Sequence, residues 1–208
     1  FQNWEQIANY PIDNDRKGNR TVVPGDIMYK DQNNDGVINY LDERPIGYRV
    51  DSTPTLNFGI NLSASWKGFD LAMDWTGSGM TSWNQCYETA RPFQNDGNSP
   101  DEVLKDAWHL SDIWDANSPL IPGKYPMIRL NTDETSAYDK SSYWLHNVTY
   151  LKLRNLEVGY TFPKTWLNKT GISNLRLFVS GTNLLTLSNL SVMDPECASD
   201  NGLDYPPM

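Results

Sequence analysis

Leu56-Asn57-Phe58-Gly59-Ile60-Asn61-Leu62-Ser63-Ala64-Ser65-Trp66-Lys67 alternates without an error. Leu56, Phe58, Ile60, Leu62, Ala64 and Trp66 fall on one face, and Asn57, Gly59, Asn61, Ser63, Ser65 and Lys67 on the other. Side chains of a strand point alternately to opposite faces, so the run predicts a two-faced strand of twelve residues. Lys67-Gly68 then supplies a tight reversal, after which Phe69, Leu71, Met73 and Trp75 alternate with Asp70, Ala72, Asp74 and Thr76. The two runs predict a hairpin over 54–76.

A second predicted hairpin spans 144–187, with strands at 150–162 and 175–187. The residues between them, 163–171, suit a helical turn closed by Gly171. The apolar phase slips between Leu153 and Leu156, and a bulge near Asn155 would restore the faces.

Twelve residues exceed the usual five or six of a soluble strand and meet the roughly nine to eleven that a tilted strand needs to cross a bilayer. The apolar face carries no charge, as lipid demands, although a buried sandwich core excludes unpaired charge as well. Trp66, Phe69, Trp75, Tyr160 and Phe162, near the predicted strand ends, suit interfacial girdles.

Between the hairpins lies a long connection, 77–143. Within it Ser99-Pro100-Asp101-Glu102 reads as a capping box, with Val103, Leu104 and Trp108 following as the apolar side of a short helix. One tight turn alternating with one very long loop is the asymmetry of outer-membrane barrels. On that topology 1–50, 77–143 and 188–208 form loops on one side. The expected architecture is all-β: part of an antiparallel transmembrane β-barrel with long extracellular loops.

Asp31-Gln32-Asn33-Asn34-Asp35-Gly36-Val37-Ile38-Asn39-Tyr40-Leu41-Asp42 has the spacing of a calcium loop. Side-chain oxygens of Asp31, Asn33, Asp35, Asn39 and Asp42 and the carbonyl of Val37 would converge on one cation. Gly36, at the sixth position, permits the tight coil, and Ile38 is expected to pack inward and anchor the loop. Asp42 stands where a bidentate Glu is usual, a shorter acid that resembles the dockerin variant of the loop. The competing reading is an Asx-rich turn with no metal. Calcium held by so many protein oxygens would be structural rather than catalytic.

The chain of 208 residues has a formal charge of −9 and a pI near 4.6, which repels phosphate backbones, and no stretch clusters Lys and Arg. Nucleic acid is therefore not an expected partner. No window approaches eighteen uninterrupted apolar residues, so no transmembrane helix is expected. The chain opens at Phe1 with no initiator Met or signal segment, and we read it as a piece of something longer.

Two cysteines, Cys86 and Cys197, are too few for a disulfide scaffold. An extracytoplasmic setting would let them pair if their Cα atoms came within about 7 Å, and two thiols are equally compatible with the sequence. His109 and His146 have no nucleophile motif beside them and read as ordinary loop or strand-end residues, so no enzyme is expected. Trp83, Trp108 and Trp114 are the ligand-binding candidates, since flat apolar rings with a polar edge stack on sugars. The same rings also pack their own loops or a partner protein.

A family resemblance joins these features. Pro24-Gly25-Asp26-Ile27-Met28-Tyr29-Lys30-Asp31, leading into the metal loop, and Arg44-Pro45-Ile46-Gly47 resemble segments of SusC/RagA-type TonB-dependent transporters of Bacteroidetes. So does Tyr150-Leu151-Lys152-Leu153-Arg154-Asn155-Leu156-Glu157-Val158-Gly159-Tyr160-Thr161-Phe162-Pro163. Leu175-Arg176-Leu177-Phe178-Val179-Ser180-Gly181-Thr182-Asn183-Leu184-Leu185-Thr186, followed by Asp194-Pro195-Glu196, is similar to the family's penultimate strand and the outer loop after it.

The resemblance covers nearly the whole chain and implies the C-terminal part of a plugged barrel of about twenty-two strands in the bacterial outer membrane. It implies energy from TonB through a region N-terminal to this chain, a SusD-like surface lipoprotein, and import of glycan or peptide oligomers, with the loops on the cell surface. The alternative is a secreted, calcium-stabilised β-sandwich that binds glycans. A dockerin is disfavoured, because no second copy of the loop follows.

Overall fold

The computed structural model describes residues 1–48, 54–130, 135–168, 171–191 and 193–196. In chain order the elements are α1 (Trp4–Ala8), β1 (Leu56–Trp66), β2 (Phe69–Asn84), α2 (Asp101–Lys105), β3 (His109–Leu110), β4 (Leu120–Ile121), β5 (Leu145–Thr161), α3 (Lys164–Leu167) and β6 (Arg176–Ser188). Short 3-10 turns lie between them. The chain divides into two compact units, one built on Phe1–Gly47 and Asn84–His146, the other on Tyr48–Trp83 and Asn147–Ala198.

The second unit is a four-stranded sheet in the order β1-β2-β5-β6. β1 and β2 pair antiparallel from Leu56↔Gly79 to Trp66↔Phe69, so Ile60 faces Trp75 and Leu62 faces Met73 on one side while Asn61 faces Asp74 on the other. The alternation in the sequence is thus the alternation of the sheet. Lys67 and Gly68 both take positive φ, 51° and 90°, the backbone of a two-residue turn whose twist matches its strands.

β5 and β6 pair antiparallel with a register shift between Leu153 and Asn155, where the apolar phase slips. In this pairing the extra residue lies on β6, where Asn183 takes φ 52°, and opposite it Arg154 donates to Thr76 and Asn183, and Asn155 to Asp74. α3 and Gly171, at φ 72°, occupy the reversal between the two strands.

β2 runs on past Thr76 to Asn84, which sets Trp75 in mid-strand opposite Ile60 rather than at a strand end. The aromatic group at the turn end is instead Phe69, Tyr160, Phe162 and Trp166, whose successive ring centroids lie 4.5, 5.1 and 6.3 Å apart. Met80, at φ 57° inside β2, interrupts the alternation.

Every residue of β1 is exposed, and Leu56, Phe58, Ile60, Leu62, Val179 and Leu187 all leave large apolar surface uncovered. Among the described residues the only other sheet is the pair of two-residue strands β3 and β4. Among the described residues no second sheet of comparable size is present to form the other half of a β-sandwich.

The first unit buries its core in loops. Trp144, 1% exposed, packs with Tyr125, Tyr138, Val103 and Ala137, and its indole donates to the Ala137 carbonyl at 2.9 Å. α2 contributes Val103 to this core, but the capping box does not form: the N-cap is Pro100 and the buried Ser99 hydroxyl has no hydrogen-bond partner. A buried cross-link joins distant loops of this unit. Asp26, its side chain fully buried, pairs with Arg129 at 2.5 Å, and Arg129 also donates to the Thr21 carbonyl.

Candidate functional site

The loop 31–42 coils on its own amides. Asp31 accepts from the Asn34 and Gly36 N–H groups at 2.6 and 2.8 Å, Asn33 from the Asp35 N–H, and Asp35 from the Val37 N–H. Asp42 accepts from Gln32 and Asn39, each at 2.8 Å. Asn39 and Asp42 form a reciprocal capping box on the 3-10 turn Tyr40–Asp42. The coil depends on left-handed backbone at Asn34 and Gly36, φ 61° and 84°, as the glycine at the sixth position requires.

The Val37 and Asn33 amides hold the Asp35 carboxyl below its ordinary range, and the Asn39 and Gln32 amides do the same for Asp42. Both are therefore ionised acceptors at neutral pH. Among the described residues no three His, Cys, Asp or Glu side chains gather as a metal site. Any cation here would depend on the mixed set of carboxylates, the Asn33 and Asn39 amides and the Val37 carbonyl.

The anchor of this loop is backbone rather than core. Ile38 is only half-buried, but its N–H donates to the Asp13 carbonyl at 2.9 Å and the Asp13 N–H donates to Gly36 at 2.8 Å, a parallel bridge between Asp13 and Val37. The adjoining segment is ordered around Asp15, whose buried carboxylate accepts from the Lys17, Asn19 and Thr21 N–H groups and the Thr21 hydroxyl. Burial works against its charge, yet these donors outweigh it and hold the pKa at about 2.

The polar face of the sheet holds a network that the sequence reading did not single out. Lys152, with a side chain 3% exposed, contacts Asp194 and Glu196 at 2.8 and 2.9 Å, and Arg154 also pairs with Glu196. Beside them Leu190 and Met193 pack on Trp83, Val148 and Tyr150. The residues that follow β6 are thus fastened to β5 by charge and by apolar contact. Further along, Arg176 on β6 pairs with Glu157 on β5 and Asp70 on β2. The signal was present in the sequence: every charge of 150–162 falls on the face opposite Leu153, Leu156 and Val158 once the bulge is allowed for.

The three candidate tryptophans differ in their surroundings. Trp83 is buried against Val148 and Leu190. Trp108 is buried too, and Gly25 lies so close to its indole that a Cβ there would sit 2.5 Å from the ring. Trp114 stands 90% exposed. His109 binds the Ala107 carbonyl and His146 the Gln85 side chain, each through one ring nitrogen. Cys86 caps a 3-10 turn through Thr89, while Cys197 lies outside the described residues.

No protein-family model matches the chain. It is 29% identical over 221 residues to TonB-dependent receptor P3 of Formosa agariphila, a match covering 99% of this chain and 20% of that protein. TonB-dependent receptor P26 of the same organism is 27% identical over 84% of this chain and 16% of its own length. The chain spans about a fifth of the length of the curated relatives it matches. Among solved structures, that of the RagAB peptide transporter is similar with a TM-score of 0.52 and 24% identity, over 80% of this chain and 17% of the other. The chain therefore shares its fold with part of that solved structure, and its similarity to TonB-dependent receptors extends along nearly its whole length.

Proposed function

We propose that this chain is a wall segment and loop cluster of an outer-membrane, TonB-dependent importer of glycan or peptide oligomers that works with a SusD-like surface lipoprotein. The observation that carries the reading is a sheet with one uncovered apolar face and one charged face. Leu56, Phe58, Ile60, Leu62 and Val179 would face lipid, where no polar group is required of them, and Lys152, Arg154, Glu157 and Arg176 would face an aqueous lumen. β1, with eleven residues at about 3.4 Å each, spans about 25 Å when tilted, the height of the apolar band of such barrels. Phe69, Tyr160, Phe162 and Trp166 supply one interfacial girdle.

The function of the segment is positioning rather than chemistry. Energy delivered through TonB would open the plug elsewhere in the protein, and the loops borne by this segment would shape the entrance and the docking of the lipoprotein. Asp31, Asn33, Asp35, Asn39, Asp42 and the Val37 carbonyl would hold a structural calcium that stiffens one of those loops.

The test is the mass and fractionation of the native polypeptide that carries this sequence. A protein of roughly five times this length in the outer membrane, co-purifying with a lipoprotein, supports the reading. A soluble product of 23.7 kDa overturns it.

A further inference from the structure

We propose that the tip of the β3–β4 hairpin, Ile113 and Trp114, is the anchor by which this chain grips a protein partner at the outer surface, in an apolar pocket ringed by Lys and Arg. The inference rests on the lipoprotein partnership proposed above and assigns its contact point.

Three observations carry it. First, the two residues are among the most exposed apolar side chains of the described chain, Ile113 at 72% and Trp114 at 90%. Large aromatic residues left in water are the type that dominates binding energy once a partner covers them.

Second, the tip is held in one shape. The Trp114 N–H donates to the Asp112 carboxylate and the Asn117 N–H to that of Asp115, both at 2.9 Å. The Ser118 hydroxyl donates to the Asp112 carbonyl at 2.9 Å, and the Ser111 N–H closes the hairpin on the Pro119 carbonyl at 2.9 Å. Its base is fixed in the core, since the Trp108 N–H donates to Tyr125 and the Tyr125 N–H to Asp106, each at 2.9 Å. A residue presented this way loses little further freedom on binding.

Third, the charge around the tip has one sign. Between Lys105 and Lys124 the sequence has Asp106, Asp112 and Asp115 and no Lys or Arg. Asp112 and Asp115 each accept one loop amide, which leaves further carboxylate lone pairs for an incoming cation. An apolar anchor with an acidic rim complements a pocket that is apolar at its floor and basic at its edge.

The experiment uses the intact membrane protein and its purified lipoprotein partner, with Trp114→Ala, Trp114→Phe and Asp112→Asn compared in a binding assay. Trp114→Ala should weaken the complex at least tenfold, mostly through faster dissociation. Trp114→Phe should restore most of the affinity, and Asp112→Asn should slow association and flatten its salt dependence. Unchanged affinity of Trp114→Ala overturns the proposal while leaving the transport reading intact. A wild-type protein that binds no lipoprotein removes both. Two other results also overturn it: Trp114 fluorescence shielded from a soluble quencher in the partner-free protein, which would mean its own chain covers it, or fluorescence quenched by an oligosaccharide with partner affinity unaltered by Trp114→Ala, which would make it a ligand contact.

Discussion

Arg176 on β6 reaches Asp70 on β2 by passing over Gly159 of the intervening strand β5. The guanidinium Nε donates to Asp70 at 3.2 Å, and a Cβ built at Gly159 would lie 2.5 Å from the guanidinium and 2.6 Å from the carboxylate. The glycine is thus the floor under an ion pair that ties three strands together. Gly159→Val should lower the melting temperature of the intact protein by a few degrees. The loss should be smaller when Arg176 is already Ala, since the bulk then displaces only an Asp70 carboxylate that has no guanidinium to hold, and a double-mutant cycle read by thermal unfolding checks that coupling.

Asp26 and Arg129 form an ion pair in which the Asp26 side chain is 0% and that of Arg129 19% exposed. Arg129→Met leaves a buried carboxylate without its cation and should cost about 3 to 5 kcal/mol, more than Asp26→Asn or the double variant. Burial already raises the Asp26 carboxyl against the pull of Arg129, and removing that pull raises it further. A carboxyl raised on folding binds its proton more tightly in the native state, so the Arg129→Met protein should regain stability as pH falls. Unfolding measured across pH 4 to 7, taken as roughly the carboxylate range, would show the same slope in the variant and the wild-type protein if the pair were unimportant.

Asp15 behaves in the other sense. Its pKa of about 2 lies below the ordinary 3.8, because four donors prefer the ionised form despite burial. Its stabilisation is therefore complete above the unfolded value and disappears as pH falls toward about 2. Asp15→Ala should cost about 2 kcal/mol at neutral pH and nothing at the acid end. Acid titration of both proteins, followed by tryptophan fluorescence, should show the curves converging.

Lys152 is clamped by Asp194 and Glu196 at 2.8 and 2.9 Å with 3% of its side chain exposed. Lys152→Met keeps the volume and removes the charge, at a cost of about 3 kcal/mol. Limited proteolysis should then cut within 190–196, where the wild-type protein resists. Equal resistance would assign the fastening to Leu190 and Met193 alone.

The loop 31–42 should bind calcium with a midpoint of roughly 0.1 to 1 mM, the range of extracellular modules. Calcium should raise the melting temperature of the intact protein, and Asp31→Ala with Asp35→Ala should abolish the rise. Unchanged calcium content and stability in that double variant would leave an acidic turn.

The strands were legible in the sequence because a period of two is local: the alternation from Leu56 to Trp66 is recovered residue for residue in β1. The register shift beside Asn155 was legible for the same reason, as a slip in that period, although the extra residue opposite it lies on β6. So was the left-handed glycine of the loop 31–42, since a tight coil has few other solutions. What the sequence could not decide was set by contacts between residues far apart in the chain. β2 continues to Asn84 although its alternation fails at Met80. Ser99 is left without a partner where a cap was expected, because α2 is placed by burying Val103 in the aromatic core rather than by its own N-terminus. Trp83, Trp108 and Trp114 all stand in the long segments between the predicted strands, yet two are buried and one stands in water. Charge pairing across the sheet, Arg176 with Asp70, required the register and the strand order, and that of Lys152 with Glu196 required the return of the chain after β6. Local periodicity determined the elements, and tertiary packing alone determined which side chains meet, since burial and ion pairing are properties of the assembled chain.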